Sequence, residues 1–193
     1  MKFAKRCFLF LAIVFAMFNS AQTLATQVLQ MNLAQMVERS DRIFRGTVLE
    51  ITEGRVEAGG GEIPALTYKF QVEEAFKGNY STVKNIQVTE FKMVGTLKHV
   101  ETGRAPIAAL PLLQVGREYV LLVAPEGPVG LTSTIGLAQG CFDLTGEDSD
   151  KIAINGFQNT GLFSGMDVPL TSGQPVSYTD LADTIRQLVG GAD

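Results

Sequence analysis

The chain has 193 residues, 46% of them hydrophobic and 19% charged, enough for one or two globular domains and too apolar for a disordered segment. One His and two Cys exclude His-pair and three-His zinc sites, four-Cys zinc or iron–sulfur sites, and more than one disulfide. The net charge of −4 understates the acidity of the folded part, because the basic residues are unevenly placed.

Residues 1–25 read as a cleaved signal peptide rather than an uncleaved anchor. Lys2, Lys5 and Arg6 precede an apolar run of twelve residues, Cys7 to Phe18, too short to span a bilayer. Small residues follow, with cleavage expected after Ala25 and, as second choice, after Ala21. Without the leader, 13 basic residues face 20 acidic ones, a net charge of −7, and Cys141 is the sole cysteine. Residues 26–193 then form one domain of an exported protein, periplasmic or secreted, with no internal disulfide and no membrane span.

The first element is a short helix. Asn32 can cap it, Gln35 completes a capping box, and Leu33, Met36 and Val37 face the core before Ser40-Asp41 ends it. A strand follows from Arg42 to Thr52, with Gly46 marking a bulge or bend. Gly54 to Gly61 reads as a mobile loop. Tyr68, Phe70 and Val72 alternate with polar residues as a half-buried strand, and Lys77-Gly78-Asn79 turns the chain. Ile86 and Val88 begin a third strand. Residues 92–116, rich in Gly and Pro, are expected to form a long loop carrying His99. Glu118 to Val123 is an apolar, central strand, and Leu131–Leu137, Gly140–Leu144 and Lys151–Ile154 are short ones. Coil is expected over 155–176. Ser177 then caps a C-terminal helix, 178–189, with Leu181, Ile185, Leu188 and Val189 on one face and Gly190-Gly191 stopping it.

Short strands without alternating helices predict a mainly β, antiparallel fold, and the bend at Gly46 suits a small closed barrel of five to six strands. The string Ser40-Asp-Arg-Ile-Phe-Arg-Gly-Thr-Val48, the segment Tyr68 to Gly78, and Val115–Leu122 with Gly136–Gly140 resemble netrin-like and tissue-metalloproteinase-inhibitor-like domains. They are most similar to a group of bacterial exported proteins of unknown function with that predicted fold. The resemblance implies an OB-type barrel over residues 32–189. Inhibitors of this fold chelate protease zinc through an N-terminal Cys; no Cys lies near residue 26, so that mechanism passes to no residue here.

Catalytic candidates are sparse. His99 has Lys98, Glu101 and Arg104 nearby but no nucleophile signature, and it reads as a solvated loop residue. Cys141 reads as a small core thiol, with an exposed, chain-pairing thiol as the sharper option. Asp143, Glu147, Asp148 and Asp150 miss the spacing of a calcium loop. The acidic charge disfavours nucleic acid, although many OB barrels bind it. Phe44, Tyr68, Phe70 and Tyr119 are expected in the core. These features favour a non-enzymatic, cofactor-free module that binds another exported protein. The interaction loops would be 54–63, with Gly59, Gly60 and Gly61, and 92–114, with His99 and Arg104. An inhibitor or accessory of an exported metalloprotease is the alternative, and a hydrolase built around His99 comes third.

Overall fold

The structure, a computed structural model, describes residues 28–147 and 150–191. The expected leader, and Asp148 of the acidic turn, lie outside that range.

The first helix, α1 (Leu33–Arg39), forms as its caps dictate: Asn32 Oδ1 accepts the Gln35 N–H at 2.9 Å, and Gln35 Oε1 accepts the Asn32 N–H at 3.1 Å. Leu33, Met36 and Val37 are buried, as expected. Next come two long strands, β1 (Arg42–Ala58) and β2 (Gly61–Lys77), paired antiparallel over nearly their whole length. The expected mobile loop over 54–61 does not form. Gly59 and Gly60 both take positive φ, 59° and 80°, which is what a two-residue hairpin turn needs, so both strands run up to it. Gly46 does mark a bulge, one of three register shifts along β1. A Cβ there would lie 2.7 Å from the Gln71 carbonyl oxygen and 2.9 Å from the Phe44 ring.

A short strand, β3 (Ser81–Val83), turns through Lys84-Asn85 into β4 (Ile86–Val94). Within the expected long loop, 92–116, β4 runs on to Val94 and a helix, α2 (Leu97–Thr102), follows. The strand β5 (Glu118–Val123) is central and apolar, as read. No strand forms over 131–137. That segment makes one bridge, Thr134 to Val123, and enters a 3₁₀ turn at Leu137–Gly140. The hydroxyls of Thr132, Ser133 and Thr134 bond nearby carbonyls (Ala124 at 2.7 Å, Thr134 at 3.2 Å, Leu137 at 2.6 Å), so local bonds compete with the ladder. Then come β6 (Cys141–Thr145), β7 (Ile152–Asn155), a coil, β8 (Val176–Ser177) and the C-terminal helix α3 (Tyr178–Gly190), capped by Ser177.

The fold is mainly β and all pairings are antiparallel, but the closed barrel of five to six strands is not what forms. Eight strands make one open sheet in the order β3-β4-β2-β1-β5-β6-β7-β8. The outer edge of β4 meets the segment beside β5 through one main-chain bond, Thr132 N–H to the Lys92 carbonyl at 2.8 Å. Arg42 reaches the same edge, donating to Thr89 Oγ1 at 2.9 Å and to the Glu90 carbonyl at 3.0 Å.

Each face of the sheet carries its own core. On one, Ile43, Val120, Leu122 and Phe142 pack under α1 and α3, against Leu33, Met36, Leu181 and Ile185. On the other, Phe44, Val48, Tyr68, Phe70, Phe91, Leu121 and Cys141 lie beneath Leu110 and Leu113. Neighbours along a strand divide between the cores, as a period of two requires. The Phe70 ring stacks on Phe91 at 5.3 Å, and Phe44 meets Phe70 edge-on at 5.3 Å.

Candidate functional site

β1 pairs with β5 only from Arg42 to Thr47, and β2 pairs with β4 only from Ala65 to Gln71. Toward the Gly59-Gly60 turn, the last main-chain bonds to other segments are those of Val48 with Gly116 and Arg117 and of the Pro64 carbonyl with the Gly95 N–H at 3.0 Å; past them the two strands bond each other. Gly54–Ala58 and Gly61–Pro64 therefore extend past the sheet as a two-stranded ribbon, and Gly59, Gly60 and Gly61 sit at its tip. Glu57, Glu62 and the tip glycines face Val129 across an open hollow of about 510 Å³. Arg55 donates to Glu62 at 3.0 Å along the ribbon.

His99 and Arg104 are joined to the base of the ribbon by two bonds: the Gly95 N–H, just before α2, donates to the Pro64 carbonyl at 3.0 Å, and a side chain of β1 takes the start of the helix. Glu53 Oε2 accepts the Leu97 N–H, at the start of α2, at 2.6 Å. His99 is not a free loop residue: its Nδ1 accepts the Thr96 N–H at 3.0 Å, capping the helix that carries it. The Arg104 N–H returns to the His99 carbonyl at 3.1 Å, and the Arg104 side chain is exposed. Tip and helix are thus parts of one projecting element, linked by Glu53, a residue not singled out by the sequence pattern.

Cys141 lies where the core reading places it. It is a buried, free cysteine, and burial, followed by the neighbouring Asp143 carboxylate, pushes its thiol far up. A thiol held protonated is no nucleophile. It floors a groove of about 270 Å³ with Tyr119, Leu112 and Ile154, and Asp143 at the wall pairs with Arg117 at 2.7 Å. The Tyr119 hydroxyl accepts the Gln114 N–H at 3.2 Å, and burial pushes it up to about 12.

A buried amide network escaped the sequence reading. Asn159 accepts the Asn155 N–H at 2.9 Å and donates to the carbonyls of Ala153 at 3.1 Å and Gln174 at 2.9 Å. Asn155 accepts from Phe157 and Asn159 and donates to the Gln139 carbonyl at 2.9 Å. Gln139 holds the incoming chain through Met31 N–H at 3.0 Å and the Leu29 carbonyl at 2.9 Å. These side chains satisfy the main chain of the coil expected over 155–176, which makes their role structural. The available signal was the pair Asn155 and Asn159 in a Gly-rich stretch: Asn155 bonds the N–H two residues on, as turn-forming Asn does.

Charged side chains over the helical face are likewise paired. Glu118 holds Arg45 at 3.1 Å and also Lys151, while Glu74 accepts from the Tyr178 hydroxyl and from Arg186. The Arg45 guanidinium lies 4.8 Å from the Tyr178 ring centre. This network ties α3 to β1, β2, β5 and the start of β7.

Comparison with known protein families and with curated proteins finds no match. Among the described residues no group of three or more His, Cys, Asp or Glu could hold a metal ion, and no helix is long and apolar enough to cross a membrane.

Proposed function

We propose that the chain is an exported, non-enzymatic module that holds another exported protein with its β1–β2 ribbon and the adjoining α2. The observation that carries this reading is the ribbon itself. Two strands leave the sheet, keep their pairing through a tight Gly59-Gly60 turn, and gain a helix latched at Glu53, a shape suited to being grasped. The other candidate groups support it by their engagement. His99 caps a helix, the Cys141 thiol is buried, and the amides of Gln139, Asn155 and Asn159 serve the main chain.

The same reading takes the domain as an opened-out relative of the OB-type barrel of netrin-like and metalloproteinase-inhibitor-like proteins. The Thr132–Lys92 bond and the Arg42 contacts across the gap support that kinship. A photo-reactive side chain placed at Val56, on the ribbon, tests the module. With native envelope extract it should yield one discrete cross-linked protein. Removing residues 56–58 and 61–63, which shortens the ribbon but keeps the Gly59-Gly60 turn, should abolish capture through a second photo-reactive position at the exposed Lys98 of α2, and equal capture there by the shortened chain would count against the proposal.

A further inference from the structure

Taking the ribbon as the binding element, we infer that the outer edge of β1, from Leu49 to Ala58, takes up one extended, basic segment of the partner protein as an added strand.

The main chain carries the argument first. The last bonds on that edge are at Val48, whose N–H donates to the Arg117 carbonyl at 3.0 Å and whose carbonyl accepts the Gly116 N–H at 2.8 Å. From Leu49 onward β1 is paired with β2 alone. In an antiparallel pair, alternate residues turn their N–H and C=O away from the partner strand. Among the described residues nothing is bonded to those groups.

Other edges of the sheet are shorter or managed: β2 past Gln71 is one-sided over six residues only, Val72–Lys77. β3, Arg42 and Thr132 cover the outer edge of β4, and β8 is only two residues long. The β2 side of the ribbon carries Pro64, which has no N–H to donate. The outer edge of β1 is thus the long edge left able to exchange a ladder of bonds, the basis of recognition by strand addition. It begins at a small apolar step, Leu49 and Val115, which are 44% and 60% exposed.

Charge selects the occupant. Leu49–Ala58 carries Glu50, Glu53 and Glu57 against Arg55 alone, and Glu62 lies opposite Glu57 in the ribbon. A second copy paired along this edge would set acid against acid. A segment alternating Lys or Arg with apolar residues would meet Glu53 and Glu57, which share one face of the strand, with complementary charge, and would lay its apolar side along the other face, against Val56.

The test uses the full chain and an end-blocked peptide alternating lysine and valine. A glutamate–valine counterpart and a form N-methylated at alternate residues serve as controls. The lysine peptide should slow hydrogen exchange about tenfold at alternate amides within 49–58. Glu57→Lys, at an exposed site where folding is not at stake, should weaken binding about tenfold. Neither control peptide should bind. Protection elsewhere, binding by the N-methylated peptide, or a dimer that protects the same amides without peptide would each overturn the inference. If the partner cross-links through Val56 while these amides exchange freely, the edge fails and the module stands. If shortening the ribbon changes no capture, the module itself fails.

Discussion

The two halves of β1 have similar strand-forming sequences and opposite fates. Arg42–Val48 lies between β2 and β5, and Ile43, Phe44 and Val48 are fully buried, on alternate faces over the two cores. Leu49–Ala58 has β2 alone, and its apolar residues Ile51, Val56 and Ala58 are only half-buried. Both halves hold β-branched residues: Ile43, Thr47 and Val48 in one, Ile51, Thr52 and Val56 in the other. What separates them is the number of neighbouring strands, since a face becomes a core only where the sheet is broad enough to be covered. The inner half is built for stability, and the outer half keeps a free edge and exposed side chains.

Stability measurements can break that division. The largest loss is expected for Phe44→Ala, about 3–5 kcal/mol in urea unfolding, because the ring packs against Phe70 and Tyr80 with no exposure. Asn159→Ala should cost about 2–3 kcal/mol by the same measurement, since it strands the Asn155 N–H and the carbonyls of Ala153 and Gln174. Gly46→Ala should cost about 1–3 kcal/mol, because its Cβ meets the backbone of Gln71.

Alkali addresses the core that holds Phe44. Burial pushes the Tyr68 and Tyr119 hydroxyls from 10.0 up to about 12, so the folded state holds protons that the unfolded chain has released. Stability should therefore hold below pH 10 on their account and fall as pH climbs from about 10 to about 12. Tyr68→Phe should flatten that fall, and unchanged alkaline melting curves would contradict it.

The smallest effect belongs to the ribbon. Glu57→Lys should move the melting midpoint by no more than about 0.5 kcal/mol equivalent. A ribbon substitution as costly as Phe44→Ala would erase the distinction between the halves.

Local signals account for much of what was legible. The caps of α1 and α3, the bulge at Gly46, the alternation through Tyr68, Phe70 and Val72, the central β5 and the buried Cys141 all follow from residues close in sequence. The glycine run misled because Gly suits a mobile loop and a two-residue hairpin turn equally, and only the pairing of the flanking strands separates them. Residues 131–137 misled in the opposite sense. Their composition suits a strand, but their pairing with β5 stops at the Thr134–Val123 bridge, and three hydroxyls bind carbonyls close by. Of the candidate site, the glycines of the tip and the stretch around His99 and Arg104 were legible as surface features. Their union through Glu53 was not, because it joins residues 44 apart.

The sequence by itself determined a mainly β, antiparallel chain with a helix near each end and a thiol in its core, because capping, alternation and burial preference act within a few residues. Tertiary structure decided that the sheet stays open, that a buried amide network orders the coil before α3, and that β1 ends as a one-sided ribbon. Each of those depends on which distant strand or carbonyl comes to lie alongside, a choice made by cross-strand pairing and by the need to satisfy buried polar groups.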